Sequence, residues 1–154
     1  MDEQEITSLV KQLDTTRSLE QEAAWEQLRP LQEQVIPYLL KAYPTTKKWQ
    51  GRVALVFHCI RFARTSEAAF QLGSLACKDN ATLVRYRACG LLAYSLRTEA
   101  MPHLEALLKH RDVKTVEDAA AAIDAISSQN HNYFIDRSHS GRTFWRVNDE
   151  DKRV

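Results

Sequence analysis

The sequence predicts an all-α protein, an α-solenoid of about four stacked helix pairs that ends in an irregular or β-hairpin cap. Three observations predict it. Apolar residues recur at helical spacing almost everywhere through residue 128. The 154 residues include only four glycines and four prolines, too few for the tight turns of an all-β fold. Related helical segments return every 31 to 34 residues or so, which is typical of repeat architectures.

The expected helices form pairs, each made of a first helix A, a short link and a second helix B. An opening helix covers about residues 3–13. The pairs occupy about residues 18–29 with 32–43, 47–63 with 66–77, and 81–96 with 99–109. A last helix A covers about residues 113–128 and has no partner helix B.

Local signals set several of these boundaries. Pro30 discourages the first helix A from continuing, because proline lacks an N–H and restricts the residue before it. Thr65 or Ser66 is expected to cap the second helix B through a side-chain oxygen. Pro102 fits a first helical turn, where the backbone N–H has no partner in any case.

Two helices repeat at the same offset of about 65 residues, which indicates internal duplication. "IPYL" at 36–39 matches "MPHL" at 101–104, and Leu19 and Ala23 align with Val84 and Ala88. In the other A helices, the predicted core-facing residues are Val53, Phe57 and Ile60, then Val84, Ala88 and Leu91, then Val116, Ala120 and Ile123.

The third helix A has the pattern D/N-x-x-x-V-R-x-x-A-x-x-x-L, formed by Asn80, Val84, Arg85, Ala88 and Leu92. This pattern resembles HEAT-type repeats, especially the short bacterial form, and the resemblance covers about residues 18–128. Other units depart from it, with Ala54 and Glu117 at the arginine position and Gly73 inside a helix B. The resemblance implies an α-solenoid whose concave face is lined by the B helices.

Residues 1–130 are expected to form the repeat body, and residues 131–154 a tail that belongs to the same domain. "YFIDR" and "RTFWRV" flank the link "SHSG", which permits a two-stranded hairpin. We expect the tail aromatics to cover the last helix A at Val116, Ala120 and Ile123, with the tail arginines facing water. The alternative is that the tail binds a partner through Arg137, Arg142 and Trp145, since Arg and Trp are frequent in binding hot spots.

Composition restricts the compartment and the chemistry. Cys59, Cys77 and Cys89 show no C-x-x-C spacing, which predicts core thiols in a reducing compartment. The first ten residues, MDEQEITSLV, do not form a signal peptide, and the apolar runs fall short of the roughly 20 residues of a membrane span. We therefore expect a cytoplasmic protein that does not associate with membranes.

No catalytic or cofactor motif is recognisable, so we predict a protein that is not an enzyme and needs no cofactor. Asp136, Ser138, His139 and Ser140 lie together, but within one short segment that gives them no scaffold. His103 and His110 are two helical turns apart, about 10 Å, which is too far for one metal ion. No metal site is predicted.

The predicted function is binding of another protein, because stacked helix pairs present a rigid surface whose ordering on binding costs little. The partner is a toxin or a subunit of a complex. The chain then acts as an adaptor or as an inhibitor, for example a bacterial immunity protein, and is a monomer or a homodimer. Besides the tail residues, the candidate contacts on and near the B helices are Tyr38, Lys41, Gln71, Ser74, Lys78, His103 and Glu105.

The alternative function is nucleic-acid binding, by resemblance to alkylpurine DNA glycosylases built from similar helical repeats. Residues 31–64 carry one acidic and six basic groups: Lys41, Lys47, Lys48, Arg52, Arg61 and Arg64. The net charge of the whole chain is only +1, however, and phosphate neutralisation supplies much of the affinity for DNA. The charge balance disfavours nucleic acid as the partner.

Overall fold

The computed structural model describes residues 1–152 and contains eight α-helices and no β-strand within that range. The last two positions of the predicted tail, 153 and 154, lie outside the described residues. The helices are α1 (Glu3–Lys11), α2 (Ser18–Leu28), α3 (Ile36–Ala42), α4 (Trp49–Cys59), α5 (Glu67–Ala76), α6 (Thr82–Ser95), α7 (Met101–Leu107) and α8 (Val113–Ser127). Every helix expected from the sequence is present, which confirms an all-α fold.

The helix boundaries follow from local chemistry. Ser66 caps α5 as predicted, because its Oγ accepts a hydrogen bond from the Ala69 backbone N–H. Asp2 and Asp112 cap α1 and α8 in the same way. Pro30 lies at the start of a 3₁₀ segment, Arg29–Val35, which separates α2 from α3 and is bent at Gln32, where φ is 53°.

Each helix packs mainly against helices that are one or two places away in chain order. On one side, α6 lies between α4 and α8; on the other, α3 contacts both α1 and α5. Contacts of α4 with α5, α5 with α6, and α7 with α8 join the two sides. The central helix, α6, is the most enclosed, since every residue from Ala88 to Ser95 is buried.

The predicted core register is wrong in several A helices. Phe57 is 48% exposed although it was aligned with the fully buried Ala88, and Leu19 is 77% exposed. In α4 the fully buried residues are Leu55, Val56 and Cys59 instead. Apolar spacing alone did not distinguish the face that packs between helices from the adjacent face, which Phe57 occupies.

The register of α8 is shifted by one residue. Ala120 is exposed, and the fully buried positions are Thr115, Ala119, Ala122, Ala125 and Ile126. Thr115 is accommodated on this mostly apolar face because the Arg85 Nε donates a hydrogen bond of 2.8 Å to the Thr115 Oγ1. A polar contact between α6 and α8 therefore adds to the apolar packing of the inward side of α8.

The tail is irregular, and the hairpin alternative is wrong for the described residues. A 3₁₀ turn, His131–Phe134, begins it. The Asp136 carboxylate then accepts hydrogen bonds from the backbone N–H groups of Ser140 and Gly141, at 3.0 and 2.8 Å. The Asn132 side-chain oxygen accepts a bond of 2.7 Å from the Trp145 N–H. Side-chain oxygens thus accept hydrogen bonds from backbone N–H groups that would have to pair between the two strands of a hairpin.

The tail packs against α6 and α8, but not on the face that was predicted. Phe134 is fully buried, and its ring lies 5.6 Å from both Tyr86 and Trp145, centroid to centroid. Arg137 does not simply face water, since it donates to the Phe134 carbonyl and to the Asp118 carboxylate. Gly90 allows this approach, because a Cβ there would lie 3.2 Å from the Phe134 ring.

All three cysteines are free and buried in the helical core. Burial raises the pKa of the Cys59 thiol well above its usual value. Among residues 1–152, none of the helices has the length and apolar character needed to cross a membrane.

Candidate functional site

A surface cavity of about 390 Å³ lies between α5 and α7, and we call it the α5–α7 groove. Four of the predicted contact residues line it together: Gln71, Ser74, Lys78 and His103. Glu67, Phe70 and Leu75 complete the lining. Four predicted contact residues therefore share one cavity with an apolar component, and their contact with a partner stays a prediction.

The sequence of α5 explains why these side chains point outward. Its core positions are small or apolar, and Gly73 is required by a close approach, since a Cβ there would lie 2.5 Å from the Leu91 Cδ2. Packing on that side leaves the opposite face to Gln71, Ser74 and Leu75. Leu75 is 51% exposed, so the groove combines an accessible apolar side chain with polar groups.

The two ends of the groove differ in charge. Near the start of α5, the Arg97 guanidinium lies 3.7 Å above the Phe70 ring and pairs with Glu67 at 2.9 Å. Lys78 lies about 16 Å further along the helix axis, and within residues 1–152 it has no ion pair. One end is therefore rigid and neutralised, and the other presents a free cation.

The other predicted contact residues do not line this groove. Tyr38 is half-buried and Lys41 exposed on α3, and Glu105 is exposed on α7. Arg142 is exposed in the tail. Trp145 is half-buried and lies beside a different cavity.

The second cavity was missed by the sequence analysis, and we call it the tail groove. It has a volume of about 220 Å³ and lies where α4, α6 and the tail meet. Its basic side chains are Arg61, Arg87 and Arg146, and its apolar lining is Phe57, Ile60, Trp145 and Val147. The exposed Phe57 was the available signal, but its apolar character suggested a core position.

The tail groove continues into a shallow hollow over α2 and α4, because Phe57 and Arg87 line both. There the His58 ring stacks on Trp25, with centroids 3.8 Å apart and planes 9° from parallel. Burial, with a smaller contribution from Arg29, lowers the pKa of His58 to about 4. His58 is a packed, neutral side chain.

No family model, curated protein or solved structure matches this chain.

The side chains of the Asp136–Ser140 segment hold the shape of their own loop. The Ser140 hydroxyl donates to Asp136 at 2.7 Å, and His139 contacts Asp124 on α8 rather than Asp136. The hydrogen bonds from the Ser140 hydroxyl and from the Gly141 and Ser140 backbone N–H groups lower the pKa of Asp136. Asp136 therefore stays charged and acts as a fixed acceptor. In the described part of the chain, no three His, Cys, Asp or Glu side chains come together as a metal site.

The basic surplus of residues 31–64 is partly neutralised within the fold. Arg52 donates to the Asp79 carboxylate at 2.7 Å, and Tyr43 donates to the same group. Arg64 donates to the Tyr94 carbonyl at 2.7 Å and lies 3.7 Å from Asp151. Two of the six cations therefore join helices to one another or to the tail, which argues against a continuous basic channel for DNA.

Proposed function

We propose that this protein is a non-catalytic protein-binding module of the HEAT-like type, in which stacked helix pairs support a groove on the side of the B helices. The serial contacts of α4, α6 and α8, together with those of α3 and α5, support a solenoid arrangement. In this arrangement the tail caps the unpaired last helix A, α8, and also packs against α6.

The observation that carries the proposal is the α5–α7 groove. Gln71 and His103 supply polar groups on its two sides, and Leu75 supplies an exposed apolar anchor. An apolar anchor surrounded by polar groups is the usual arrangement at the centre of a protein interface. The groove is supported by α5 and α7, so a partner meets a surface that needs little ordering.

The proposed partner is a single cytoplasmic protein, either a toxin or a subunit of a complex. If the partner is a toxin, the chain is an inhibitor of the bacterial immunity type. If it is a subunit, the chain is an adaptor. In both cases the chain acts as a monomer or homodimer and uses no cofactor.

A pair of leucine substitutions tests the proposal. Leu75 and Leu83 have nearly equal exposure, 51% and 52%, but only Leu75 lines the groove. Proteins bound to the tagged wild-type chain are isolated from cells that express it, and the affinity of each purified partner is measured by calorimetry. Leu75→Glu should weaken binding at least tenfold or so, and Leu83→Glu should leave it unchanged.

Equal affinity of wild type and Leu75→Glu for every partner would exclude the α5–α7 groove as the interface. The activity of the purified partner then separates the two roles. Loss of a toxic activity at equimolar ratio identifies an inhibitor, whereas a stable complex with unchanged activity identifies an adaptor.

A further inference from the structure

We propose that the tail groove is a second protein-binding site and that it binds an acidic segment of a partner protein, one with carboxylate side chains beside an apolar residue. This site lies on α4, α6 and the tail, so it is distinct from the α5–α7 groove and does not depend on the function proposed for it.

The lining of the tail groove is basic. Three arginines line the tail groove, and within the described residues its lining contains no carboxylate. Arg61 and Arg87 form no ion pair and donate no side-chain hydrogen bond within residues 1–152; their contacts are with aromatic rings. Among residues 1–152, Arg146 pairs only with Asp149, at 3.4 Å, and that carboxylate is fully exposed. An exposed pair of this kind contributes little and is easily exchanged for another carboxylate.

Two of the three arginines lie against aromatic rings. The Arg87 guanidinium lies 4.8 Å from the centroid of the Phe57 ring and the Arg61 guanidinium 5.3 Å from that of Phe62, both cation–π distances. The tail segment that follows Arg146 is fixed, because the backbone N–H groups of Val147 and Asn148 donate to Asp151 at 2.9 Å. Guanidinium groups held in place bind carboxylates through paired N–H donors, at a smaller entropic loss than mobile side chains.

The aromatic residues of the tail groove, Phe57 and Trp145, favour a peptide over single-stranded nucleic acid. Phe57 has Arg87 over its ring and His58 against it at 5.3 Å. Trp145 is surrounded by Phe134, Tyr94 and His131 at 5.6 to 5.9 Å. Base stacking requires a free ring face. The Trp145 ring is packed among three other rings, and Arg87 lies over the Phe57 ring, so no stacking platform for successive bases is formed. The 48% exposed Phe57 side chain still offers apolar contact to a peptide.

A selection experiment with matched variants tests this inference. A displayed library of random peptides of roughly twelve residues is selected on the full chain, and each selected peptide is synthesised. Its affinity is measured by fluorescence anisotropy, with oligothymidylate as a second probe. The test variant is Arg61→Gln, Arg87→Gln and Arg146→Gln combined, and the control variant is Lys47→Gln, Lys109→Gln and Lys114→Gln combined. Both variants lose the same charge, and their melting temperatures are measured to confirm folding.

The expected result is enrichment of peptides with several Asp or Glu residues beside an apolar residue. Their affinity should fall about tenfold or more in the arginine variant and hold in the lysine variant, because only the first loses charge-assisted contacts. Replacing the peptide carboxylates by amides should give a similar loss. The inference is overturned if no acidic peptide is enriched, or if binding survives in the arginine variant. It is also overturned if oligothymidylate binds this groove more tightly than any selected peptide.

Discussion

The Tyr94 hydroxyl lies 3.0 and 3.1 Å from the two carboxylate oxygens of Asp151, and 57 positions of the chain separate the two residues. Asp151 also accepts hydrogen bonds from the backbone N–H groups of Val147 and Asn148. One buried carboxylate therefore joins the end of the tail to the central helix α6.

Replacement of Asp151 by alanine should destabilise the protein, because it leaves buried donors of Tyr94, Val147 and Asn148 without an acceptor. We expect the free energy of unfolding to fall by about 1–3 kcal/mol, measured by urea denaturation. Asp149→Ala is the matched control, since the Asp149 side chain is fully exposed and its removal should leave stability unchanged. Equal effects of the two substitutions would show that the tail is not anchored at Asp151.

The contact between α6 and α8 gives a second prediction. Arg85 donates to the Thr115 hydroxyl, to the Asp79 carbonyl and to Asp112, and its side chain is only 6% exposed. Arg85→Met should lower the free energy of unfolding by about 3 kcal/mol, since buried polar partners are left unpaired. Arg17→Met, at a side chain that is 79% exposed, should have no effect in the same urea titration. Similar midpoints for wild type and Arg85→Met would contradict this account.

Gly73 provides a test of packing beneath the α5–α7 groove. Alanine is favoured over glycine inside a helix by about 1 kcal/mol, but here the added Cβ would meet the Leu91 Cδ2 at 2.5 Å. We expect Gly73→Ala to be destabilising overall, by about 1 kcal/mol or more, because Leu91 is fully buried and must move.

A double-mutant cycle with Leu91→Val isolates that contact. Removing a methylene group from Leu91 gives the new Cβ room, so the double variant should be less destabilised than the sum of the single variants. Strict additivity of the two unfolding free energies would show that the Gly73–Leu91 approach does not limit the size of residue 73.

Acid sensitivity follows from His58. In the folded chain its pKa is about 4, whereas in the unfolded chain it is near 6.5, so between these values the unfolded chain binds more protons. The free energy of unfolding should therefore fall as the pH is lowered from 6.5 to 4, by about 3 kcal/mol in total from this residue.

His58→Phe keeps a ring against Trp25 but removes the titrating group. Urea unfolding at several pH values should show a smaller loss of stability on acidification in the variant than in the wild type. If both proteins have the same pH dependence between 4 and 6.5, folding does not lower the pKa of His58.

The positions of the helices could be predicted from the sequence because their signals are local. Ser66 at the start of α5 and Pro30 after α2 act on neighbouring backbone groups. A short stretch of sequence is therefore enough to determine where these helices begin or end. Gln71, Ser74 and Lys78 lie on one side of the α5–α7 groove for a similar reason, since they follow helical spacing.

The errors concern relationships between distant segments. Phe57 is exposed because it lies at the edge of α4 beside the Arg87 side chain and the tail groove, and periodicity within α4 does not contain that information. The hairpin was a wrong prediction because Asp136 accepts the backbone donors of its own loop. The tail groove could not be predicted, since its arginines come from three segments that only tertiary packing brings together.

The three buried thiols can be used to measure transient separation of the helices. Cys59 ends α4, Cys77 follows α5 and Cys89 lies within α6. A thiol-specific reagent can modify them only while the surrounding helices transiently separate, so each modification rate measures local opening of that region. Binding of a partner in either groove should then slow the modification of the cysteines that lie in or next to the helices of that groove. No additional cysteine has to be introduced.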